Sequence, residues 1–154
     1  MESIVLGGGC FWCVEGALKE LRGVSEVIPG YSGGHVDDPT YEQVCGKRTG
    51  HAEVVLVSFD PEVISRRQLF DVFFCIHDST QRNRQGNDVG PQYRSIILHS
   101  TQEQREEVLA IIEEISDDYT DPIVTEVVSL ERFWPAENYH VNYYSNNPNN
   151  PYCQ

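Results

Sequence analysis

Apolar positions in residues 3–59 predict, in chain order, a strand, a helix and two further strands. The apolar run 3–6 stops at the glycines 7–9, and helically spaced apolar residues over 10–21 predict a helix that starts directly after them. Residues 24–31 form the next predicted strand. Residues 52–59 contain four consecutive apolar residues, which is typical of a strand buried on both faces and therefore central in its sheet.

The rest of the chain predicts three more helices, and the first two have a capping-box pattern at their start. Ser65 with Gln68 begins the first helix, and Ser100 with Glu103 begins the second. Residues 78–94 between them lack periodicity and form a long loop, a type of segment that is often functional. The other predicted elements are strands over 94–99 and 122–130, a short helix over 133–144 and a flexible polar tail over 145–154.

This order of elements predicts one α+β domain over residues 1–154. The order is strand-helix-strand-strand-helix-strand and then helix-strand, without a repeat or a linker. This order favours a two-layer sandwich of helices packed against a mixed sheet. The tail over 145–154 is too polar to contribute to the core.

Charge and hydropathy exclude several classes of partner. The chain has 11 Lys and Arg against 24 Asp and Glu, a net charge of -13, which disfavours nucleic acid and anionic membranes as partners. No apolar run reaches the roughly 18 residues that a membrane span requires, and residues 1–3 lack the pattern of a secretory signal. We therefore expect a cytoplasmic protein whose cysteines are kept reduced.

The candidate chemistry begins at Cys10, which follows the three glycines at the predicted helix start. Helix amides and the helix dipole favour a thiolate there, so we expect a lowered pKa, although an inert buried cysteine is the alternative. Cys13 completes a C-x-x-C pattern, which is found in redox and zinc sites. Zinc is disfavoured because there is no second such pattern. Phe11 and Trp12 between the cysteines favour core slightly over a substrate pocket.

Three further cysteines differ in their expected roles. Cys45 and Cys75 lie next to apolar residues, so we interpret both as inert core residues. Cys153 lies in the polar tail, where it is either a surface thiol or a thiol that attacks an oxidised Cys10.

Acidic and phenolic side chains supply the other candidates. Glu53 opens the apolar strand 52–59, and a carboxyl there is either an acid or a solvated strand end. Glu15 is its rival. Asp88 and Tyr93 lie in the long loop, where ordinary turn residues are the alternative.

Five motifs in this order resemble the peptide methionine sulfoxide reductase A family, and the resemblance runs from residue 8 to about residue 152. The motifs are Gly9-Cys10-Phe11-Trp12, Gly30-Tyr31-Ser32-Gly33-Gly34, Pro39-Thr40-Tyr41, Gly50-His51-Ala52-Glu53, and Gln85-Gly86-Asn87-Asp88 followed by Gln92-Tyr93-Arg94-Ser95.

This resemblance implies thiol-dependent reduction of the S epimer of methionine sulfoxide, free or in proteins, by a ferredoxin-like sandwich with an irregular C-terminal extension. It implies that Cys10 is the nucleophile and that Glu53 protonates the departing oxygen. The other implied residues contact the substrate: Tyr41 and Tyr93 bind its oxygen, Asp88 holds its backbone, and Phe11 and Trp12 surround its methyl group.

The resemblance also implies an intramolecular disulfide, formed from a cysteine sulfenic acid and recycled by thioredoxin, without any bound cofactor or metal. Cys153 matches the family's C-terminal resolving position and is preferred. Cys13 departs from the many relatives that have glycine there, and in other relatives this cysteine resolves. His140 lies in a family-like run, 136–140, without an assigned role. A general thiol-disulfide oxidoreductase and an acidic protein-binding module are the rival interpretations.

Overall fold

A computed structural model describes residues 1–137 and 140 of the chain. Four α-helices and eight strands lie in this part. In chain order they are β1 (Glu2–Gly7), α1 (Phe11–Leu18), β2 (Val24–Ser32), α2 (Tyr41–Cys45), β3 (Ala52–Phe59), α3 (Arg66–Cys75), β4 (Arg84–Gln85), β5 (Asp88–Val89), β6 (Ile96–His99), α4 (Gln102–Ile115), β7 (Glu126–Ser129) and β8 (Phe133–Pro135).

Six of the strands form one mixed sheet in the order β7-β6-β1-β3-β2-β8. β6 and β7 are parallel and are joined through α4, whereas the other neighbours are antiparallel. β3 lies in the interior between β1 and β2, as its apolar run predicts. The mixed sheet with its helices confirms the predicted α+β class.

The two faces of the sheet bury different sets of residues. The larger cluster joins one face, through residues such as Leu6, Val55 and Val57, to apolar side chains of the helices. The smaller cluster, which includes Val5 and Val54, covers the other face. Because β3 contributes to both clusters, its sequence has no apolar-polar alternation. None of the helices in the described chain is long and apolar enough to cross a membrane.

Helix α2 was missed in the sequence, although its start carries a clear signal. Thr40 and Gln43 form a complete capping box, in which the Thr40 hydroxyl accepts the Gln43 N–H and the Gln43 side chain accepts the Thr40 N–H. Five residues are too few to show a helical period, so the pattern of apolar positions did not reveal the helix.

Three other predicted boundaries need correction. The cap of α4 is Thr101, whose hydroxyl accepts the Gln104 N–H, and not Ser100. Residues 133–135 form strand β8 beside β2 and not the start of a helix. The loop over 78–94 contains the short hairpin β4-β5, because Gly86 adopts φ +58° in the two-residue turn. The predicted tail over 145–154 lies outside the described residues.

The glycines before α1 allow side chains from other segments to pack closely against the backbone. A Cβ atom at Gly8 would lie 2.8 Å from the His77 ring, and one at Gly9 would lie 2.8 Å from Cγ of Gln85. Gly9 also has φ +92°, which L-residues with side chains rarely adopt. The glycine turn therefore brings the start of α1 against the loop that carries β4 and β5.

We expect Gly8→Ala to destabilise the fold by about 1–3 kcal/mol, because the added methyl group overlaps the His77 ring. Gly46→Ala is the matched control, since Gly46 has helical φ and its added Cβ would have no neighbour closer than 3.2 Å. Thermal unfolding of both variants measures the difference. Equal Tm values for the two variants would contradict the role given to Gly8.

Candidate active site

Cys10 caps the helix α1 that follows the glycine turn. Its backbone is extended, its carbonyl accepts the N–H of Val14 at 3.3 Å, and the residue is buried with 7% of its surface exposed. The thiol is therefore held at the first turn of a helix, as the sequence predicts.

Glu53 lies at the start of β3, directly against the same helix end. One carboxyl oxygen, Oε1, accepts the Phe11 N–H at 3.2 Å. The other oxygen, Oε2, is buried and has no hydrogen-bond partner within residues 1–137 and 140. With 1% exposure, Glu53 is a buried carboxyl and not a solvated strand end.

Burial raises the pKa of Glu53 to about 8, and this shift favours the protonated acid at neutral pH. The Phe11 N–H opposes the rise, whereas the charges of Asp88 and Cys13 add to it. A neutral carboxyl can donate a proton, so this side chain has the protonation state that a general acid needs.

The expectation of a lowered Cys10 pKa is wrong for the protein without substrate. A hydrogen bond with the Cys13 thiol, burial, and the charge of Glu53 all raise the pKa of Cys10, and the Trp12 amide only partly opposes them. Helix-end amides are one contribution among several, and tertiary neighbours outweigh them here. Cys10 is therefore a thiol and not a thiolate at neutral pH.

An aromatic cluster of Phe11, Trp12 and Tyr41 lies at this helix start. The Tyr41 ring stacks on Phe11 with centroids 6.2 Å apart, and on Trp12 with centroids 5.9 Å apart. Phe11 and Trp12 also belong to the main apolar core. The interpretation of these two residues as core is therefore confirmed.

Tyr93 and Asp88 approach the site from the loop between α3 and β6. The Tyr93 carbonyl accepts the Gly9 N–H at 3.2 Å, and the Tyr93 phenol is close enough to help raise the pKa of Tyr41, mainly an effect of burial. Asp88 lies within electrostatic range of Glu53. The structure thus places Tyr93 near Tyr41 and Asp88 near Glu53.

Two of the remaining candidates, Cys45 and Cys75, are less buried than the sequence predicts. Glu15 is buried, but Glu53 is the carboxyl whose charge acts on Cys10. Cys75 is exposed at the end of α3, so its assignment to the core is wrong. Cys45 is only partly buried and its thiol is hydrogen-bonded to Tyr41, a contact at the edge of the site that sequence reasoning missed. Cys153 lies outside the described residues.

Glu137 and His140 also contact residues of the site, and no specific role was predicted for either of them from the sequence. His140 accepts a hydrogen bond from the Trp12 indole at 3.0 Å, and Glu137 accepts the Tyr41 N–H at 3.1 Å. The only available signal was the family-like run 136–140. Within the described residues, no three His, Cys, Asp or Glu side chains are grouped to hold a metal ion.

The sequence matches the model of one protein family, described as peptide methionine sulfoxide reductase, over residues 2–154. The chain belongs to this family. A reductase of Haloquadratum walsbyi named peptide methionine sulfoxide reductase MsrA is 57% identical over 153 residues, which cover 99% of this chain and 88% of that protein. Family membership confirms the resemblance found in the five motifs.

Two solved structures extend this similarity to three dimensions. Mxr1 from Saccharomyces cerevisiae in reduced form matches the present chain with a TM-score of 0.94 and 36% identity, and the match covers 99% of the present chain and 88% of Mxr1. Mxr1 in complex with Trx2 matches with a TM-score of 0.67 and 26% identity, covering 91% and 84%.

We expect Glu53→Gln to make the reductase more stable at pH 8.5 than the parent protein. The folded parent keeps a proton on Glu53 up to about pH 8, whereas the unfolded chain releases it near pH 4.5, so parental stability falls as the pH rises between these values. The glutamine amide does not titrate and can still accept the Phe11 N–H. Between pH 5 and pH 8.5, the free energy of unfolding of Glu53→Gln should therefore rise by about 2–4 kcal/mol relative to that of the parent.

Thermal unfolding of both proteins at pH 5 and pH 8.5 measures this gain, which corresponds to roughly 2–4 °C in Tm per kcal/mol. Asp88→Asn controls for the loss of a nearby negative charge. A Tm difference between parent and Glu53→Gln that is the same at both pH values would show that Glu53 is ionised in the folded protein.

Proposed function

We propose that this protein reduces the S epimer of methionine sulfoxide, free or in proteins, to methionine. The observation that carries the proposal is a buried, protonated Glu53 carboxyl beside the helix end that holds the Cys10 thiol. Reduction of a sulfoxide requires both groups, because a nucleophile must attack sulfur while an acid protonates an oxygen that is otherwise a poor leaving group.

Cys10 is the proposed nucleophile and Glu53 the proposed acid. The Cys10 sulfur attacks the sulfoxide sulfur as Glu53 gives its proton to the oxygen, and the thiol proton then returns Glu53 to its acid form. The hydroxyl passes from the substrate sulfur to the Cys10 sulfur. A thiol and a sulfoxide thus become a sulfenic acid and a thioether, so the step needs no bound cofactor.

Tyr41 and Tyr93 are the proposed donors to the sulfoxide oxygen. Burial raises the pKa of Tyr41 above its usual value, so its hydroxyl keeps the proton that it must donate. Such donors stabilise the negative charge that grows on the oxygen as the new bond to sulfur forms. Their support is the stacking of Tyr41 on the Phe11 and Trp12 rings and the closeness of the Tyr93 phenol to Tyr41.

Phe11, Trp12 and Asp88 are the proposed contacts to the rest of the substrate. The Phe11 and Trp12 rings, whose centroids are 6.1 Å apart, are the proposed apolar walls around the methyl group of the side chain. Asp88 is half-buried on β5, where a carboxylate can accept a backbone N–H from the substrate.

The test is an assay of the purified protein, with dithiothreitol as reductant, on each epimer of a blocked methionine sulfoxide. We expect turnover of the S epimer, no turnover by Cys10→Ser, and a loss of about 10²–10⁴-fold in Glu53→Gln, the usual contribution of a general acid. Insulin reduction in the same preparations tests the rival thiol-disulfide oxidoreductase. Normal sulfoxide reduction by Cys10→Ser would refute the proposal.

Recycling requires a second thiol, and the described contact favours Cys13 at this step. The Cys13 thiol is already hydrogen-bonded to Cys10, and cysteines at i and i+3 of a helix start are close enough for a disulfide. Attack on the sulfenic acid releases water and forms the Cys10–Cys13 disulfide. Cys153 then exchanges with this disulfide and carries it outward, while direct attack by Cys153 remains the prediction from the sequence.

Thioredoxin is the proposed final reductant, supported by the solved complex of Mxr1 with Trx2. An accessible disulfide that ends on Cys153 would exchange with the thioredoxin dithiol and restore the free thiols. A reducing cytoplasm is the proposed location, since thioredoxin and free cysteines are maintained there.

We expect Cys153→Ser to release one equivalent of methionine and then stop when thioredoxin is the reductant, because the burial of Cys10 hinders direct reduction of the Cys10–Cys13 disulfide. Mass mapping should locate that disulfide. Cys75→Ser, which changes an exposed cysteine, is the control and should turn over like the parent. A Cys10–Cys153 disulfide formed at the parental rate in Cys13→Ser would instead establish direct attack by Cys153.

A further inference from the structure

The side chain of Gln85 joins the β4-β5 hairpin to the segment that follows helix α3. Its Oε1 accepts the Asp78 N–H at 2.7 Å, and its Nε2 donates to the Asp78 carbonyl at 2.7 Å. A side-chain amide has a carbonyl acceptor and N–H donors, like a peptide group, so it can pair with both backbone groups of one residue. Because α3 ends at Cys75, helical hydrogen bonds do not use these two backbone groups.

The Asp78 backbone is held in place through the preceding residue, His77. The His77 ring donates from Nδ1 to the Phe73 carbonyl at 2.6 Å and accepts the Ser95 hydroxyl at Nε2 at 2.7 Å. The ring also packs against Gly8, where an added Cβ would lie 2.8 Å from it. The anchor of the hairpin is therefore tied to α3, to the segment before β6 and to the glycine turn.

The stem of Gln85 lies on the glycine turn, directly before the Cys10 thiol. An added Cβ atom at Gly9 would lie 2.8 Å from Cγ of Gln85 and 3.1 Å from its Cβ. Gly9 also donates its N–H to the Tyr93 carbonyl at 3.2 Å. Two parts of the loop over 78–94 therefore hold the residue that precedes the proposed nucleophile.

Asp88 is the direct partner of Gln85 in the hairpin. The register pairs the two residues across the two-residue turn, and the side chains of directly opposed residues project from the same face of an antiparallel pair. Asp88 also lies within electrostatic range of Glu53. The contacts of Gln85 with the Asp78 backbone and Gly9 therefore hold the face that carries Asp88 against the glycine turn.

We propose that Gln85 is a positioning residue, which fixes the Asp88 carboxylate relative to the Cys10 sulfur. It thereby couples recognition of the substrate backbone to attack on the sulfoxide. The proposal rests on the proposed function, in which Asp88 accepts a backbone N–H of the substrate. A substrate held by its backbone presents its sulfur correctly only if the separation of Asp88 and Cys10 is fixed, and a displacement of about 1 Å lowers a rate strongly.

Two sulfoxides separate this role from a general loss of structure. Blocked methionine sulfoxide has backbone N–H groups that Asp88 can bind, whereas ethyl methyl sulfoxide has the same sulfoxide and methyl group without a backbone. We expect Gln85→Met, which keeps a stem on Gly9 and removes both hydrogen bonds, to lower kcat/KM for the blocked S epimer about tenfold. Its kcat/KM for ethyl methyl sulfoxide should stay within about twofold of the parental value. Equal losses on both sulfoxides would overturn the proposal.

Gln81→Met is the matched control. The Gln81 side chain accepts the Gly86 N–H at 2.7 Å, so this substitution removes one hydrogen bond from the same hairpin but leaves the contact between Gln85 and Asp78 in place. We expect kcat/KM for both sulfoxides to stay within about twofold of the parental values. A tenfold loss on the blocked substrate would show that any weakening of the hairpin is sufficient, and the specific role of Gln85 would be wrong.

An Asp88→Ala background tests whether Gln85 acts through Asp88. Without the carboxylate, Gln85→Met should change kcat/KM for the blocked substrate by less than about twofold, because the group that Gln85 positions is gone. A tenfold loss that persists in this background would contradict the proposal.

Amide hydrogen exchange separates the inference from the activity. The Asp78 N–H loses its acceptor in Gln85→Met, so we expect this amide to exchange faster than in the parent and at the parental rate in Gln81→Met. If exchange behaves so while the parent reduces neither epimer, the proposed function falls together with the role of Asp88, and only the contact stands. Unchanged exchange in Gln85→Met would refute the contact and the proposal with it.

Discussion

One hydrogen bond, from the Phe11 N–H to the buried Glu53 carboxyl, joins the two halves of the site. It connects the first turn of α1 to β3, the strand in the interior of the sheet. Burial keeps the carboxyl protonated, and the same contact keeps it beside the Cys10 thiol. The proposed acid is therefore held by a strand in the interior of the sheet, and the proposed nucleophile is held at the start of a helix.

The chemistry explains why the fold accepts a buried acid in its centre. A carboxyl with an unpartnered oxygen destabilises the folded state, since an apolar residue of similar size would have no such penalty. The penalty is also what raises the Glu53 pKa, because both follow from the loss of water around the charged form. The Cys10 thiol is subject to the same effect. Both groups are thus neutral in the protein at rest, and in the proposed reaction charge develops only when a substrate oxygen arrives to receive the proton.

Local sequence patterns predict much of the scaffold and less of the electrostatics. The continuous apolar run of β3 and the capping box at Ser65 identify their elements because each signal lies within a few residues. The pKa of Cys10 could not be predicted in this way, since its direction depends on Cys13, burial and Glu53 together. The spacing of residues shows the helix end beside the thiol, but it does not show which side chains surround the thiol after folding.

The same limit explains why the contact between His140 and Trp12 could not be predicted from the sequence. Its partner Trp12 is 128 positions away along the chain, and no local period connects two such residues. The contact forms because β8 pairs with β2, which carries the following residues back over the start of α1. Strand β8 was also the element whose type the sequence predicted wrongly. The error in local structure and the missed contact of His140 therefore have one cause: the pairing of distant strands decides both.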